Sequence, residues 1–437
     1  MSVPPPVALR RPRPVIPATV RRLVALELQA HQDWARVVRR QRIGSSETFR
    51  LAKGTQLGAD RLRGVRDPTE LALVAPIDKG HLRAVPTAAW TTGEAPAGTR
   101  TVWSTGTTGE PLGVPYPPSA AWQQGVLALH INRIRHIIPW ATRLSLDALP
   151  HQSPAAARSF GRVRAATQVP LTSRDPDAVA AVIEARKPRV LNGAARELIV
   201  LGEVLAPDAR PRIVTTHGEL LTDEIRHALR ELYDVEPLDS YGMSEVGRIA
   251  SQCRAADLYH VHHEHLVVEV LDDDGEPVEP GASGDLVVTT LWNPLVPLVR
   301  YRTGDRVTLA DRPCLCGHSL PCFSSVDGRT MDWFVDASGR RVPPQRLWLS
   351  MHAPARLLDA VDRYRVVQAA DRTARVEIVA RRGDREVLAS TAASYRSVLG
   401  APVEVVHVER LLPGPNGRFR AFTSEATPSG RGEDAAS

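Results

Sequence analysis

The chain has 437 residues, more than one small core can organise, so two or three units are expected. Apolar residues make up 43% and charged residues 24%, which excludes a disordered or fibrous chain and fits a globular one. The net charge of +6 comes from scattered arginines with very few lysines. No nucleic-acid module signature accompanies it, so solvated faces are expected and no nucleic-acid partner. No apolar run reaches the ~18 residues of a membrane span. The opening "MSVPPPVALRRPRPVIP" lacks a signal core, so no membrane association and a cytoplasmic location are expected.

Residues 1–18 read as a proline-rich arm and 426–437 as a disordered tail. Helical spacing runs from 19 to about 42, followed by some 50 residues of short helices and connectors. "WSTGTTGEPLG" (103–113) crowds glycines and hydroxyls into one loop, and "AAWQQGVLALHINRIRHII" after it is a helix with an apolar face. Between 160 and 240, "VLNG", "ARELIVLGEVL", "PRIVTTHGELL", "DEIRHALRELY" and "VEPLDSYG" alternate strand and helix, predicting a largely parallel sheet. From 262 to 310 the period becomes two, with a D-G turn in "HLVVEVLDDDGEPV", predicting antiparallel strands. Beyond 328, "RYRVVQAA", "ARVEIVAR", "EVLASTAASYRSVLG" and "VEVVHVERL" read strand, strand, helix, strand.

Four stretches carry chemistry. In "STGTTGEPLG" small residues let backbone N–H groups approach an anion while hydroxyls add donors. It is neither a Walker A loop, which needs a lysine where Glu110 stands, nor a dinucleotide fingerprint. "HGELL" (217–221) is a glycine turn, and "DSYGMSEVG" (239–247) sets Tyr241, Gly242 and Glu245 on a strand-to-loop edge. A tyrosine there can stack on a purine, and a carboxylate near phosphates can hold Mg²⁺. "VRYRTGDRV" (299–307) ends a strand with Asp305, placed to accept two ribose hydroxyls. Each stretch alone is better explained by a turn or a solvated loop.

In this order the set resembles the adenylate-forming superfamily of acyl-CoA synthetases, adenylation domains and luciferases. "APIDKGHLRAVP" and "HHEHLVVEVLDDDGEPVEPGASGDLVVTTL" are similar to its phenylacetate–CoA ligase and CapK-like branch, and the resemblance spans roughly residues 20 to 425. It implies an α/β fold: a large N-terminal adenylate-forming domain (19–327) with mixed sheets, helices and a small β region, then a small mobile α+β lid (328–425). It implies ATP and Mg²⁺ as cofactors, with CoA as one acceptor.

Carried over by motif, Ser104, Thr105, Gly106, Thr107, Thr108 and Gly109 form the phosphate loop, Thr105 and Thr107 making phosphate contacts. Gly218 and Glu219 form the adenine-side turn. Ser240, Tyr241, Gly242, Met243, Ser244 and Glu245 form the Y-G-x-[ST]-E segment, with Tyr241 on adenine and Glu245 on Mg²⁺. Asp305 and Arg329 take the ribose, and Gly328-Arg329 is the hinge.

Three departures qualify this. The family's catalytic lysine falls at Arg418 in "PNGRFRAF", and an arginine fork is not equivalent to an ammonium. The hinge acid is displaced, Met331 preceding Asp332, and "DASGRRVPPQRL" replaces the usual opening of the lid. These put transfer to CoA in doubt more than adenylation.

Cys253, His260, Cys314 and Cys316 form a C-x6-H and C-x-C set able to close a tetrahedral, structural zinc site. Cys322 is an alternative ligand, and His262, His263 and His265 stand further down the order; free thiols are the competing reading. Four cysteines in a chain this long exclude a disulfide scaffold.

The expected function is activation of a small carboxylic acid, aromatic by branch analogy, as acyl-AMP. A nucleophile (CoA, an amine or a carrier thiol) then takes the acyl group, in secondary metabolism. The alternatives are transfer to a non-CoA acceptor (an amine, a carrier protein or an inorganic nucleophile such as nitrite) and a catalytically impaired nucleotide-binding homologue. A second copy of the chain is a further partner to consider. The helix after residue 119 and "DALPHQSPAAARSFGRV" are expected to line the acid pocket.

Overall fold

The computed structural model describes residues 34–104, 112–138, 141–147, 167–170, 176–329, 333–342, 346–347, 361–380, 385–409 and 422–426, with a few positions between 18 and 26. Nearly all of the expected arm, most of the tail and most of "DALPHQSPAAARSFGRV" lie outside these residues.

Helix α1 (Trp34–Lys53) buries Val37, Gln41, Ser45, Thr48, Phe49 and Ala52, a stripe at helical spacing. It runs about ten residues past the end expected from apolar periodicity. The stripe continues through polar residues whose bonds go to the neighbouring strands: Gln41 Nε2 donates to His263 O and Leu266 O, and Thr48 Oγ1 to Thr290 O at 2.8 Å. A hydrogen-bonded Gln or Thr can occupy a buried face at little cost, and this is what the apolar pattern missed.

Short helices α2 (Gln56–Arg61) and α3 (Lys79–Arg83) follow, each capped by a side chain: Thr55 accepts from Gly58 N, and Asp78 from His81 N. Strands β1 (Arg100–Trp103) and β2 (Gly113–Tyr116) form a hairpin, with Trp103 opposite Gly113 at the base of the 105–111 loop. Helix α4 (Pro118–Ile134) starts on a proline suited to a first helical turn and ends at Arg135, with His136 left-handed just beyond (φ 55°).

One eleven-stranded sheet dominates the chain. Its parallel part holds β3 (Arg143–Asp147), β4 (Thr167–Pro170), β5 (Val190–Gly193), β6 (Ile213–His217) and β7 (Leu238–Met243). Helices α5 (Pro176–Arg186), α6 (Ala195–Val204) and α7 (Asp223–Tyr233) supply Ile183, Leu198, Ile225 and Leu229 to the core covering it. At β7 the pairing changes sense. Strands β8 (Gly247–Gln252), β9 (Tyr259–Val261), β10 (Leu266–Leu271), β11 (Ser283–Thr290), β12 (Tyr301–Leu309) and β13 (Cys322–Arg329) are antiparallel. A second core, with Trp292, Tyr301 and Phe323 fully buried, packs on this half. The strand–helix alternation and the period-two stretch thus become the two halves of one sheet.

The remaining residues build a four-stranded sheet with its own core around Phe334, Val376 and Tyr395. Hairpin β14 (Phe334–Val335) with β15 (Arg341–Val342) leads to β16 (Val361–Gln368), β17 (Ala374–Ala380), helix α8 (Arg385–Leu399) and β18 (Val403–His407). The expected strand, strand, helix, strand order is present. A further strand, β19 (Phe422–Ser424), lies parallel to β16; three residues are too few for periodicity to reveal.

Candidate active site and metal centre

The chemistry-bearing stretches meet where the sheet changes from parallel to antiparallel, at the carboxyl ends of β6 and β7, the end of the strands at which open α/β sheets bind ligands. His217 ends β6 directly across from Ser240 on β7. Gly218 follows with φ +78°, a left-handed turn that needs glycine for its backbone alone, since nothing lies where a Cβ would sit. Glu219 is the next residue in that turn.

Tyr241 Oη donates to Asp305 Oδ2 at 2.7 Å, joining stretches 64 residues apart in sequence. Asp305 in turn pairs across β12–β13 with Arg329. Gly242 lies where a Cβ would be 2.6 Å from Gly247 O, so the β7–β8 hairpin closes only around glycine there.

The same segment is fastened to the hairpin that carries the hydroxyl-rich loop. Tyr116 Oη donates to Ser244 O at 2.8 Å, and Ser244 Oγ donates to Trp103 O at 3.1 Å. Ser104 closes the base of the loop: its N–H donates to Leu112 O, and its Oγ accepts from Leu112 N at 2.9 Å. Thr105, Gly106, Thr107, Thr108 and Gly109 lie outside the described residues, as does Arg418. Two members of the Y-G-x-S-E segment face elsewhere. Ser240 Oγ accepts from Arg135 Nη1 at 3.0 Å, and Met243 packs against the large core.

Glu245 is 3% exposed and its Oε1 sits 3.0 Å from Lys79 Nζ at the start of α3. Only three lysines occur in the chain, so this one is a selective feature. Sequence reasoning met Lys79 only as part of the "APIDKG" stretch; a lone lysine in an arginine-rich chain was the signal available. The carboxylate expected to meet Mg²⁺ therefore already carries a cation.

Further in, burial holds the Arg248 guanidinium below its usual basicity, and burial together with the Arg248 charge lowers the His217 imidazole to about 4. Burial also raises the Asp239 carboxyl, which accepts from Thr216 and Tyr259 hydroxyls. Neither Arg248 nor His217 was singled out by sequence, because a charged residue just past a motif has no pattern of its own.

The second cluster lies beside β9 and β13. Cys253, His260, Cys314 and Cys316 present ligand atoms all within 4.8 Å of one another, and Cys316 Sγ is 3.5 Å from His260 Nε2. Tetrahedral zinc at ~2.3 Å from sulfur implies ligand atoms about 3.8 Å apart, which this grouping accommodates. Burial drives the imidazole of His260 down to about 3, the adjacent His318 adding to it, so the ring is a neutral ligand. Burial pushes the Cys316 and Cys322 thiols up to about 12. His260 Nδ1 is buried without a hydrogen-bond partner. The donor set fits a soft divalent ion that would supply the missing positive charge.

Cys322 forms an alternative group with His260 and His318, the latter stacked on His260 at 4.1 Å and missed by sequence reading. His262 and His265 turn to Glu264 at 3.9 and 3.8 Å, and His263 to Pro321 O at 3.1 Å, leaving all three outside the cluster.

No family model matches the chain. Over 122 residues it is 34% identical to phenylacetate–coenzyme A ligase of Thermus thermophilus, covering 27% of each chain. Over 140 residues it is 28% identical to that of Escherichia coli, covering 31% of each. The chain thus spans less than a third of the length of the curated relatives it matches. The fold likeness extends further: a 2-hydroxyisobutyryl-CoA ligase, solved in its postadenylation state with 2-HIB-AMP, superposes with a TM-score of 0.61. That match covers 95% of this chain and 91% of the other at 17% identity, a likeness of fold. No helix among the described residues is long and apolar enough to cross a membrane.

Proposed function

We propose, since the chain belongs to the adenylate-forming superfamily beside the phenylacetate–coenzyme A ligases, that it activates a small carboxylic acid with Mg·ATP. A carboxylate oxygen attacks the α-phosphorus, the bond to the bridging oxygen breaks, and pyrophosphate leaves with the electron pair, giving acyl-AMP. A nucleophile then takes the acyl group and releases AMP. The observation that carries this reading is the Tyr241–Asp305 hydrogen bond at the switch in the sheet, where the adenine-side and ribose-side stretches meet.

Charge builds on the phosphates in such a reaction, so catalysis is positioning plus cations and N–H donors. In this reading Ser104 and the 105–109 loop cradle the phosphates, and the Gly218-Glu219 turn and Tyr241 frame adenine. Asp305 and Arg329 take the ribose hydroxyls. Glu245 serves Mg²⁺ once Lys79 is drawn from it toward the phosphates. Arg418 supplies the cation that the family places on a lysine. Cys253, His260, Cys314 and Cys316 hold zinc as a brace between the 250s loop and the loop that follows the ribose-motif strand. With four protein ligands, that ion has no open position and no step of the reaction runs through it.

The acid is aromatic by analogy with the branch, and the acceptor is CoA, an amine or a carrier thiol in secondary metabolism. Incubation with ATP, Mg²⁺ and a panel of acids, read by mass spectrometry for acyl-AMP, tests the proposal. Arg418→Lys run alongside asks whether arginine suffices. Acyl-AMP from the natural chain supports the reading; pyrophosphate release with no acid dependence, or ATP bound and left intact with every acid, contradicts it.

A further inference from the structure

Arg135, Arg143 and Arg248 gather behind the nucleotide stretches, and of these Arg135 has a carboxylate, Asp239, beside it. Arg248 sits on β8 directly across from Gly242 and three residues past Glu245. Its Nη1 donates to the main-chain oxygen and to Oε1 of Gln124 on α4, each at 3.2 Å. Among the described residues, Nε and Nη2 donate to no protein atom, and no carboxylate stands within ion-pair distance. The surrounding elements bring no remedy. His217 on β6 offers a buried Nδ1 without a partner. Tyr116 on β2 gives its hydroxyl to Ser244 O, and Arg143 on β3 gives Nη2 to Asn132 Oδ1 at 2.8 Å. Arg135 is already spent on Asp239 O, Ser240 Oγ and Gln252 O.

A guanidinium with two donor groups turned to solvent, whose charge is felt at an imidazole with a buried, partnerless Nδ1, becomes more favourable when an anion arrives. A guanidinium also matches a carboxylate in shape, offering two parallel N–H donors to its two oxygens. Arg248 follows Glu245 by three residues on the same hairpin, which makes it the candidate for the far end of an acid whose reacting carboxylate lies on the Glu245 side. Resting on the acid-activation reading above, we propose that the substrate is a dicarboxylic acid, its distal carboxylate held by Arg248 with His217 alongside. An aromatic acid qualifies only when its ring carries this second acidic group.

Matched pairs test this: succinate against butyrate and isophthalate against 3-methylbenzoate, with malonate, glutarate and phthalate completing the dianions. Binding to the full chain by calorimetry and acid-dependent ATP–pyrophosphate exchange are both measured, for the natural chain, Arg248→Gln, and the charge-keeping Arg248→Lys. At least one pair should favour the dianion by tenfold or more. That preference should fall to within about twofold in Arg248→Gln and largely persist in Arg248→Lys, which also serves if the glutamine variant fails to fold.

Equal use of both members of each pair, or no binding of any dianion, overturns the proposal. So does an equal loss for both members in Arg248→Gln, which would place Arg248 on the reacting carboxylate instead. Selective, Arg248-dependent dianion binding without exchange would leave the anion site standing and defeat the adenylation reading, so the two failures are distinct.

Discussion

Lys79→Met removes the cation from a carboxylate that is 3% exposed. Two unit charges 3.0 Å apart attract by about 5 kcal/mol at an effective dielectric near 20. Stripping one partner from a buried pair costs about 3–5 kcal/mol, because the survivor stays desolvated and unpaired. Lys79 keeps 20% of its side chain in solvent, so the low end, about 3 kcal/mol, is expected. Glu245→Gln should cost less, about 1–2 kcal/mol, since a partly exposed ammonium can regain water. The double variant should recover much of the loss, giving a coupling of about 2 kcal/mol in a urea-unfolding double-mutant cycle. Mg²⁺ should also raise the stability of Lys79→Met more than that of the natural chain, because the freed carboxylate can take the ion. Additive effects within about 0.5 kcal/mol, together with identical Mg²⁺ responses, would refute the idea that Lys79 and Glu245 act as one unit.

Tyr241→Phe deletes the donor to Asp305 and should weaken ATP binding about tenfold by calorimetry, the worth of one bond to a charged acceptor; unchanged affinity would separate the two residues. Purified without added metal, the chain should carry about one zinc ion. Cys314→Ser should lose it and melt at lower temperature, while Cys322→Ser keeps it; elemental analysis decides, and a folded, metal-free natural chain refutes the site. His217 titrates near 4 in the folded chain against 6.5 when unfolded, so the unfolded chain binds the proton first. Stability should therefore fall as pH drops from 6.5 toward 4, by at most about 3 kcal/mol, and His217→Gln should flatten that limb in pH-dependent urea midpoints.

The large sheet was legible because its two halves announce themselves by different periods: isolated apolar runs with helices between them, then alternation in "HLVVEV" and "GDLVVTT". The full reach of α1 was not, since Ser45 and Thr48 look like surface residues until Thr290 supplies an acceptor. Motif stretches were recognisable by their glycines and hydroxyls, whose turn geometry is local. Lys79, Arg248 and His318 escaped because their meaning lies in what they face across the fold: a buried carboxylate, the Gln124 end of a neighbouring helix and a stacked imidazole. Cys253 and Cys316 were readable as a set from residue type, yet only the pairing of β9 with β13 explains how they come within reach.

Isotope exchange between pyrophosphate and ATP is the sharpest probe of acid activation by this chain, because it reports the reversible first step without needing the acceptor. With Mg²⁺ present, exchange should depend on an added acid and fall steeply in Glu245→Gln. Exchange that ignores the acid, or its complete absence across mono- and dicarboxylic acids in a chain that binds ATP, would contradict the account.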